Sequence, residues 1–596
     1  MLQRWNEGLK NHPRISALTL ALFTVVVYAG ALRNTFVYDD EPQILNNPFV
    51  YNRHLWTRIF TGSVWSFNSA SAPDLFYRPL QFFYYWLVYR TAGPNPAVFH
   101  LLQVLVYAAS AVVVYRLGCE IFEHEVAALV GAGLWVLQPL HVEAVAWISG
   151  MPDAGAALFY LLAFLLFVRA EKSPQPRVIS HLAAALAYLP ALFFKEMALS
   201  LPLLLLTYWI FVPLPRFTPV AREWVGRIRR LIPYLLSVGG YLVARISVLG
   251  RLGKTKSLLK VSAKVAAAAF GLLGQHARLF VWPLGLNPFR TFNFESTLHS
   301  PWPWIAILIL AAVVVLRRKD RQMSFLLAWW AVTLLPCLDI RELSVPQIAD
   351  RFSHLPSVGP CLAIALALLV RLPARAPAAL NVAAPALALL MVFWGCETIS
   401  DIPHWRDTAA LIQNGLTRAP DAALIHNVRG NYLRFVNHDL DGSEREYLTA
   451  LSLDSKSSVK SSQVKYDSYF GLGGVAQERG RDQEALAYYH RATEIMPDAS
   501  PAFDALGAYY FPRHDYATAS QYFVRAVAAN PSDVVARMYL GHCWMKLGRL
   551  KEAAEQFRAV RTVDPSIKAA YLSEARALEA QGDMEGAAKV LKESDK

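Results

Sequence analysis

About eleven apolar runs, each of the length a bilayer requires, fill the chain up to about residue 400, and nothing else in the sequence constrains its fold as strongly. They lie near 15–32, 98–118, 125–145, 154–169, 179–194, 197–213, 231–248, 302–316, 323–338, 355–371 and 377–396. The first run follows Arg4, Lys10 and Arg14 and ends on Ala29-Gly30-Ala31, a small-x-small site. Its 18 residues exceed the usual signal-peptide core of about 7–15, so it reads as an uncleaved span. Only 17% of the 596 residues are charged, 55% are hydrophobic, and the mean hydropathy is +0.28. Soluble chains carry roughly 25% charged residues, so disorder, collagen and a single soluble domain are excluded.

The formal charge of +13 does not point to nucleic acid, because the basic residues cluster at the ends of apolar runs, as the positive-inside bias requires. Arg4/Lys10/Arg14, Arg169–Arg177, Arg216–Arg230, Arg317–Arg321 and Arg371–Arg375 should face the cytoplasm. These assignments agree only if 250–300 makes no net crossing, with Val265–Pro283 re-entrant or interfacial. Everything beyond about residue 400 then lies outside, in a periplasm or lumen. The five cysteines form no CxxC pair and read as small buried apolar residues.

The tail is a repeat array. Leu472-Gly473, Leu506-Gly507 and Leu540-Gly541 recur every 34 residues. Ala485, Ala519, Ala553 and Ala587 keep the same interval, as do Tyr489, Phe523 and Phe557, and Pro497, Pro531 and Pro565. This is the tetratricopeptide pattern, in which small residues let helices approach and an aromatic fills the gap. Pro420 and Asp454 mark a degenerate earlier repeat, followed by a Ser/Lys-rich insertion near Ser455–Ser462. The expected fold class is therefore all-α: a polytopic membrane bundle followed by a soluble α-solenoid. The expected domains are 1–398 for the membrane part, 399–464 for a degenerate repeat and linker, and 465–596 for the repeats.

Charged residues gather where spans meet the outer face. Three consecutive carboxylates, Asp39, Asp40 and Glu41, follow the first span. They form either a solvated loop or a general base beside a membrane-bound substrate. Neighbouring side chains diverge, so one aspartate would take the proton while the other orients the loop. Arg78 precedes an aromatic stretch, Gln81–Arg90, suited to the interface, where headgroup contact is the plain alternative. His141, Glu143 and Asp153 flank an outer turn, with hydrogen-bonded structure as the competing reading and no convincing metal spacing. Lys195 and Glu196 sit between two apolar runs and must be paired or at the surface. Arg351 offers a planar fork to a phosphate, unless it pairs with Asp350. No phosphate loop, dinucleotide fingerprint or nucleophile elbow is present, so soluble nucleotide chemistry has no home here, and the outer carboxylates and basic residues could instead serve a lipid-linked phosphate donor reached from the bilayer.

The segments FVYDDEPQILNNPFV (36–50), YRPL (77–80), FHLLQVLVYA (99–108), QPLHVEAVAWISGMPD (138–153), FKE (194–196) and RFSHLPSVG (351–359) come in a familiar order. Together with the repeat tail, the chain resembles the transmembrane-and-tetratricopeptide-repeat (TMTC) O-mannosyltransferases, membrane glycosyltransferases of the GT-C class. The resemblance implies transfer of a sugar, typically mannose, from a polyprenyl-phosphate carrier to a Ser or Thr hydroxyl on the outer face. It places the family's acidic pair on Asp39 and Asp40, its His/Glu segment on His141 and Glu143, and its Arg segment on Arg351, Leu355, Pro356 and Ser357. Met151-Pro152 stands where relatives often carry Arg-Ala, and His354 where they tend to carry an aromatic.

The expected chemistry is a single inverting displacement. Asp39 or Asp40 is the base, Arg351 with Lys195 or Arg78 holds the donor phosphate, and His141, Glu143, Asp153 and Glu196 shape the site. No cofactor is expected, since the lipid-linked sugar is a substrate and fixed cations neutralise its phosphate; a magnesium ion on the adjacent pair Asp39 and Asp40 is the alternative. The partners are that donor, membrane lipids and an extended acceptor polypeptide in the repeat groove. The absence of an Asn-x-Ser/Thr sequon favours a bacterial inner membrane over an endoplasmic reticulum. A glycan or lipid acceptor, a non-enzymatic repeat scaffold and a transporter are the alternatives. Transport fits least, because the spans carry few ionisable residues.

Overall fold

The computed structural model describes all residues except 1, 68–75, 174–177, 212–219, 251–262, 291, 293–296, 298, 339–347, 458–460 and 595–596. Parts of the expected basic loops at 169–177 and 216–230 therefore lie outside the described residues. The described residues are helical, with no strand among them. They form two compact units, Met1–Glu41 with Arg78–Pro420, and Pro42–Tyr77 with Asp421–Lys596.

In the first unit, six helices are long and apolar enough to cross a bilayer: Pro13–Arg33, Pro96–Phe122, Ile148–Lys172, Glu223–Leu249, Val358–Arg375 and Pro377–Trp405. A seventh is broken, with Glu125–Leu137 and Pro139–Ala146 bent by 57°. Proline explains the break. Pro139 has no N–H to donate, and Gln138 before it is forced into an extended conformation. The remaining expected spans are shorter helices: Val178–Phe194, Glu196–Phe211, Trp302–Leu316 and Arg321–Leu334. Among the described residues, fewer helices are long enough to span than the eleven runs suggest. Val265–Pro283 falls largely within one continuous helix, Ala263–Val281, packed along Trp302–Leu316.

Helix Met151–Lys172 is the centre of this unit, enclosed by Pro96–Phe122 and Val178–Phe194. Its 22 residues rise about 33 Å, close to the thickness of a bilayer core. Each end has a distinct polar cluster. At the C-terminal end Arg169 and Lys172 pair with Glu120 at 3.0 and 3.2 Å, and Arg230 with Glu171 at 2.7 Å. Arg371 meets Asp320 at 2.6 Å, Gln322 donates to the carbonyl of Ile121, and Asn6 accepts from the amide of Glu125. The loops assigned to the cytoplasm from their basic residues thus share one end of the bundle. The carboxylates and cations singled out above lie at the other.

The second unit holds five helical hairpins, from Ala423–Phe435 with Leu440–Lys456 to Lys568–Gln581 with Met584–Ser594. Their packing explains the 34-residue period. A Cβ on Gly473, Gly507 or Gly541 would stand 2.5–2.8 Å from the ring of Tyr489, Phe523 or Phe557, so the aromatic fills the space the glycine leaves. The first hairpin uses the same device, with Tyr447 against Gly430 and Gly471. Tyr447 and Tyr489 stand 42 residues apart chiefly because Leu440–Lys456 and Ser462–Glu478, at 17 residues each, are longer than their counterparts Asp482–Ile495 (14 residues) and Ser500–Tyr510 (11 residues) in the next repeat. The segment following the first carboxylates joins this unit: Arg58 donates to the carbonyl of Thr562, and Asn52 to Ser566 at 3.1 Å.

Candidate active site

The acidic triplet stands on a tight turn closed by the amide of Asp40 on the carbonyl of Val37 at 3.0 Å. Tyr38, inside that turn, has φ 55°, a left-handed conformation unfavourable for a bulky residue, and its surroundings hold it there. Its amide donates to Thr408, and its ring lies 6.4 Å from Trp147 and 6.2 Å from Phe289. The indole of Trp147 in turn donates to the carbonyl of Val37 at 3.2 Å.

Two adjacent aspartates acquire different environments from this turn. Asp40 is wholly buried. Its Oδ1 accepts from the amide and hydroxyl of Ser149 at 2.7 and 2.5 Å, and its Oδ2 from the amide of Val37 at 3.0 Å. Burial pushes its carboxyl up to about 7, with the three donors opposing the rise and Asp39 adding to it. Asp39 is only half-buried, and among the described residues no hydrogen bond holds its carboxyl. Burial raises it to about 7 as well, opposed by the charge of Arg351. One aspartate is fastened by three donors, and the other is poised near neutrality beside a guanidinium.

Around them runs an alternating chain of charge. Arg351 pairs with Glu143, which also accepts from the Arg351 amide at 2.9 Å, and its Nε lies 3.7 Å from Asp153. The guanidinium sits over the rings of Trp147 and Phe352 at 5.2 and 5.3 Å. Asp153 also receives Lys195 at 2.5 Å. Burial lowers the buried Lys195 ammonium from its usual value, and Asp153 opposes that shift. Glu196 takes Arg78 at 2.9 Å and Arg245 at 3.3 Å. Four cations therefore face Glu143, Asp153 and Glu196, with the Asp39 carboxyl acting on Arg351 as a fourth acid. Such a cluster persists out of water only because every charge meets its opposite.

Local sequence builds this cluster. The break at Pro139 turns the chain so that Glu143, Trp147 and Ser149 fall on the short stretch before helix Met151–Lys172. Gly150 is required there, since a Cβ would stand 2.6 Å from the carbonyl of Glu143. Asp153 occupies the first turn of the helix that follows, where a carboxylate favours the helix dipole. Beside it is a cavity of about 10 Å³ lined by Asp153, Lys195, Tyr160 and His354, room for one water molecule. Burial lowers the His354 imidazole to about 4, so it stands neutral there.

Several alternatives are now decided. Arg351 does not pair with Asp350, which binds Arg290 instead. Lys195 and Glu196, though adjacent, point to different partners. Arg78 has a carboxylate partner in Glu196. His141 is fully buried, with both ring nitrogens engaged, by Tyr107 and Ser357 at 2.8 Å each, so it shapes the core and has no nitrogen for a substrate. Ser149, Trp147 and Arg245 were not foreseen. No pattern marks Ser149 or Trp147. Arg245, a lone cation within the apolar run 231–248, was a readable signal, because such a residue is expensive in a bilayer and marks function or pairing.

Comparison with known proteins bears on this arrangement. The tetratricopeptide-repeat family model matches residues 505–565 and 545–595. A Caenorhabditis elegans protein O-mannosyl-transferase is 25% identical over 75% of this chain and 63% of its own length. The mouse protein O-mannosyl-transferase TMTC3 is 22% identical over 95% of this chain and 62% of its own. The chain is a relative of the TMTC protein O-mannosyl-transferases. Mouse TMTC1 is 36% identical over 26% of this chain and 17% of its own length. The chain thus spans somewhat less than two thirds of the TMTC relatives that it matches most broadly. Among solved structures, MamA is 23% identical over 29% of this chain and 89% of that chain, with a TM-score of 0.25. YrrB, described as a TPR protein with an unusual peptide-binding site, is 26% identical over 31% and 90%, with a TM-score of 0.26.

Proposed function

We propose that this membrane protein moves mannose from a polyprenyl-phosphate carrier to Ser or Thr hydroxyls of polypeptides. The contrast between Asp39 and Asp40 beside the Arg351 network carries this reading. A general base works best with a pKa near the operating pH and free access to the proton it takes. Asp39 has both; Asp40 has its oxygens committed to Ser149 and Val37.

In this reading the acceptor Oγ attacks the anomeric carbon while its proton passes to Asp39. The bond from that carbon to the phosphate oxygen breaks, the electron pair stays on the lipid phosphate, and the anomeric configuration inverts. Arg351, Lys195 and Arg78 stabilise the charge growing on the phosphate. Each keeps its carboxylate partner while its cationic group faces the phosphate oxygens. These fixed cations take the place of a cofactor. The active end lies on the outer side of the membrane, the periplasm of a bacterium or the lumen if the source is eukaryotic, and the repeats present the acceptor there.

The test incubates purified protein with labelled polyprenyl-phosphate mannose and Ser/Thr peptides. Asp39→Asn should slow transfer by roughly 10²–10⁴, the worth of a positioned base. Wild-type protein that labels lipid or glycan but no peptide would move the acceptor class. Label transferred to nothing would leave a repeat scaffold.

A further inference from the structure

The repeat unit contains a pocket of about 280 Å³ whose walls include Phe470, Phe523, Val535 and Tyr539, with Asp504 among them. Apolar walls alone would name no ligand. The acid is what distinguishes this pocket. Asp504 stands against Asp533, which is 1% exposed and whose Oδ1 caps the following helix by accepting from the amide of Ala536 at 2.9 Å. The two carboxyls hydrogen-bond to each other through a shared proton, and Ser500 is a further partner of Asp533. Neither carboxylate has an ion pair among the described residues. Arg537, the near cation, is engaged by the carbonyl of Pro531 at 2.8 Å and by Gln556 at 2.7 Å. Burial and the facing carboxyl hold the Asp504 carboxyl well above its ordinary range. An acid pair that shares one proton and has no ion-pair partner among the described residues, at the edge of an aromatic pocket, offers its remaining negative charge to a cation.

We infer that this pocket takes the cationic side chain of an arginine or lysine in an extended polypeptide, the aspartates supplying the counter-charge and the rings packing on its alkyl stem. This rests on the reading that the repeats hold the acceptor, and it sharpens it: acceptors carry a basic residue besides the modified hydroxyl. The binding test is independent of catalysis. Full-length protein in phosphatidylcholine nanodiscs is titrated with fluorescein-labelled decapeptides of Ala and Ser whose one central residue is Arg, Lys or norleucine. A charge-assisted hydrogen bond in a desolvated pocket predicts about tenfold or tighter binding of the Arg and Lys peptides than of the norleucine peptide.

The double variant Asp504→Asn, Asp533→Asn should bring all three peptides to the norleucine affinity, since asparagine keeps the helix cap. Glu579→Gln, an exposed residue outside the pocket that removes one equal charge, should change nothing. Val535→Trp, which fills the pocket and spares both acids, should abolish the Arg preference in a protein that still folds. Equal binding of the norleucine peptide, or an Arg preference that survives both pocket variants, overturns the inference. An Arg preference without mannose transfer to that peptide leaves the pocket standing and removes its role in presenting acceptors.

Discussion

Asp39 and Asp40 are the same side chain one position apart, and the number of donors each faces separates their roles. Because burial raises Asp39 to about 7, its base form fills only as pH rises past that value. Transfer by the wild-type protein should climb with pH through about 7 and level off above it. The residual activity of Asp39→Asn should lack that limb, as a pH–rate series would record. Arg351 makes the complementary case. Glu143→Gln removes the close partner of a largely buried guanidinium and leaves its charge poorly compensated. Breaking a buried pair from one side costs about 3 kcal/mol or more, so the membrane unit should unfold at measurably lower temperature or denaturant. An unchanged midpoint would mean that water reaches Arg351 freely.

Elements act through how closely they approach. In the repeats a glycine on one helix receives an aromatic from the next, and each hairpin repeats the contact. Gly507→Ala would place a methyl 2.8 Å from the Phe523 ring, inside van der Waals contact. Overpacking of this kind costs about 1–3 kcal/mol. Hydrogen exchange should therefore speed up first in Ser500–Tyr510 and Tyr516–Ala529, with the outer hairpins following less. In the membrane unit the decisive element is the broken helix at Pro139, which converts what would be a straight span into the short stretch that carries Glu143, Trp147 and Ser149. A continuous helix would turn Ser149 away from Glu143 and Trp147 and leave Asp40 without the two donors that Ser149 supplies.

At the scale of the molecule, the bundle is polar from end to end. Basic loops occupy one end and the carboxylate–cation network the other, separated by one helix length. By the positive-inside bias the basic end is expected to face the cytoplasm. In a cysteine-free background, Arg318→Cys should label with an impermeant maleimide only after the membrane is opened. Asp441→Cys, exposed in the repeat unit, should label in sealed spheroplasts or inside-sealed vesicles of matching orientation. Labelling of both from one side would invert or abolish the proposed outer active end.

Periodicity is local, and what is local could be read directly from the amino-acid order. The apolar runs, the basic loops that share an end and the 34-residue array all follow from neighbours within one helix or one hairpin. The acidic turn at Asp39 and Asp40 and the cations Arg78, Lys195 and Arg351 were visible for the same reason, as charges set against apolar surroundings. Partnerships were not visible. Asp153 between Lys195 and Arg351, Ser149 on Asp40, Arg245 on Glu196 and Asp504 against Asp533 join residues from separate helices. Those pairings depend on helix breaks, crossing angles and depth of burial, which no spacing along the chain encodes. Only the packed structure shows which aspartate carboxyl is held by three donors and which meets none among the described residues.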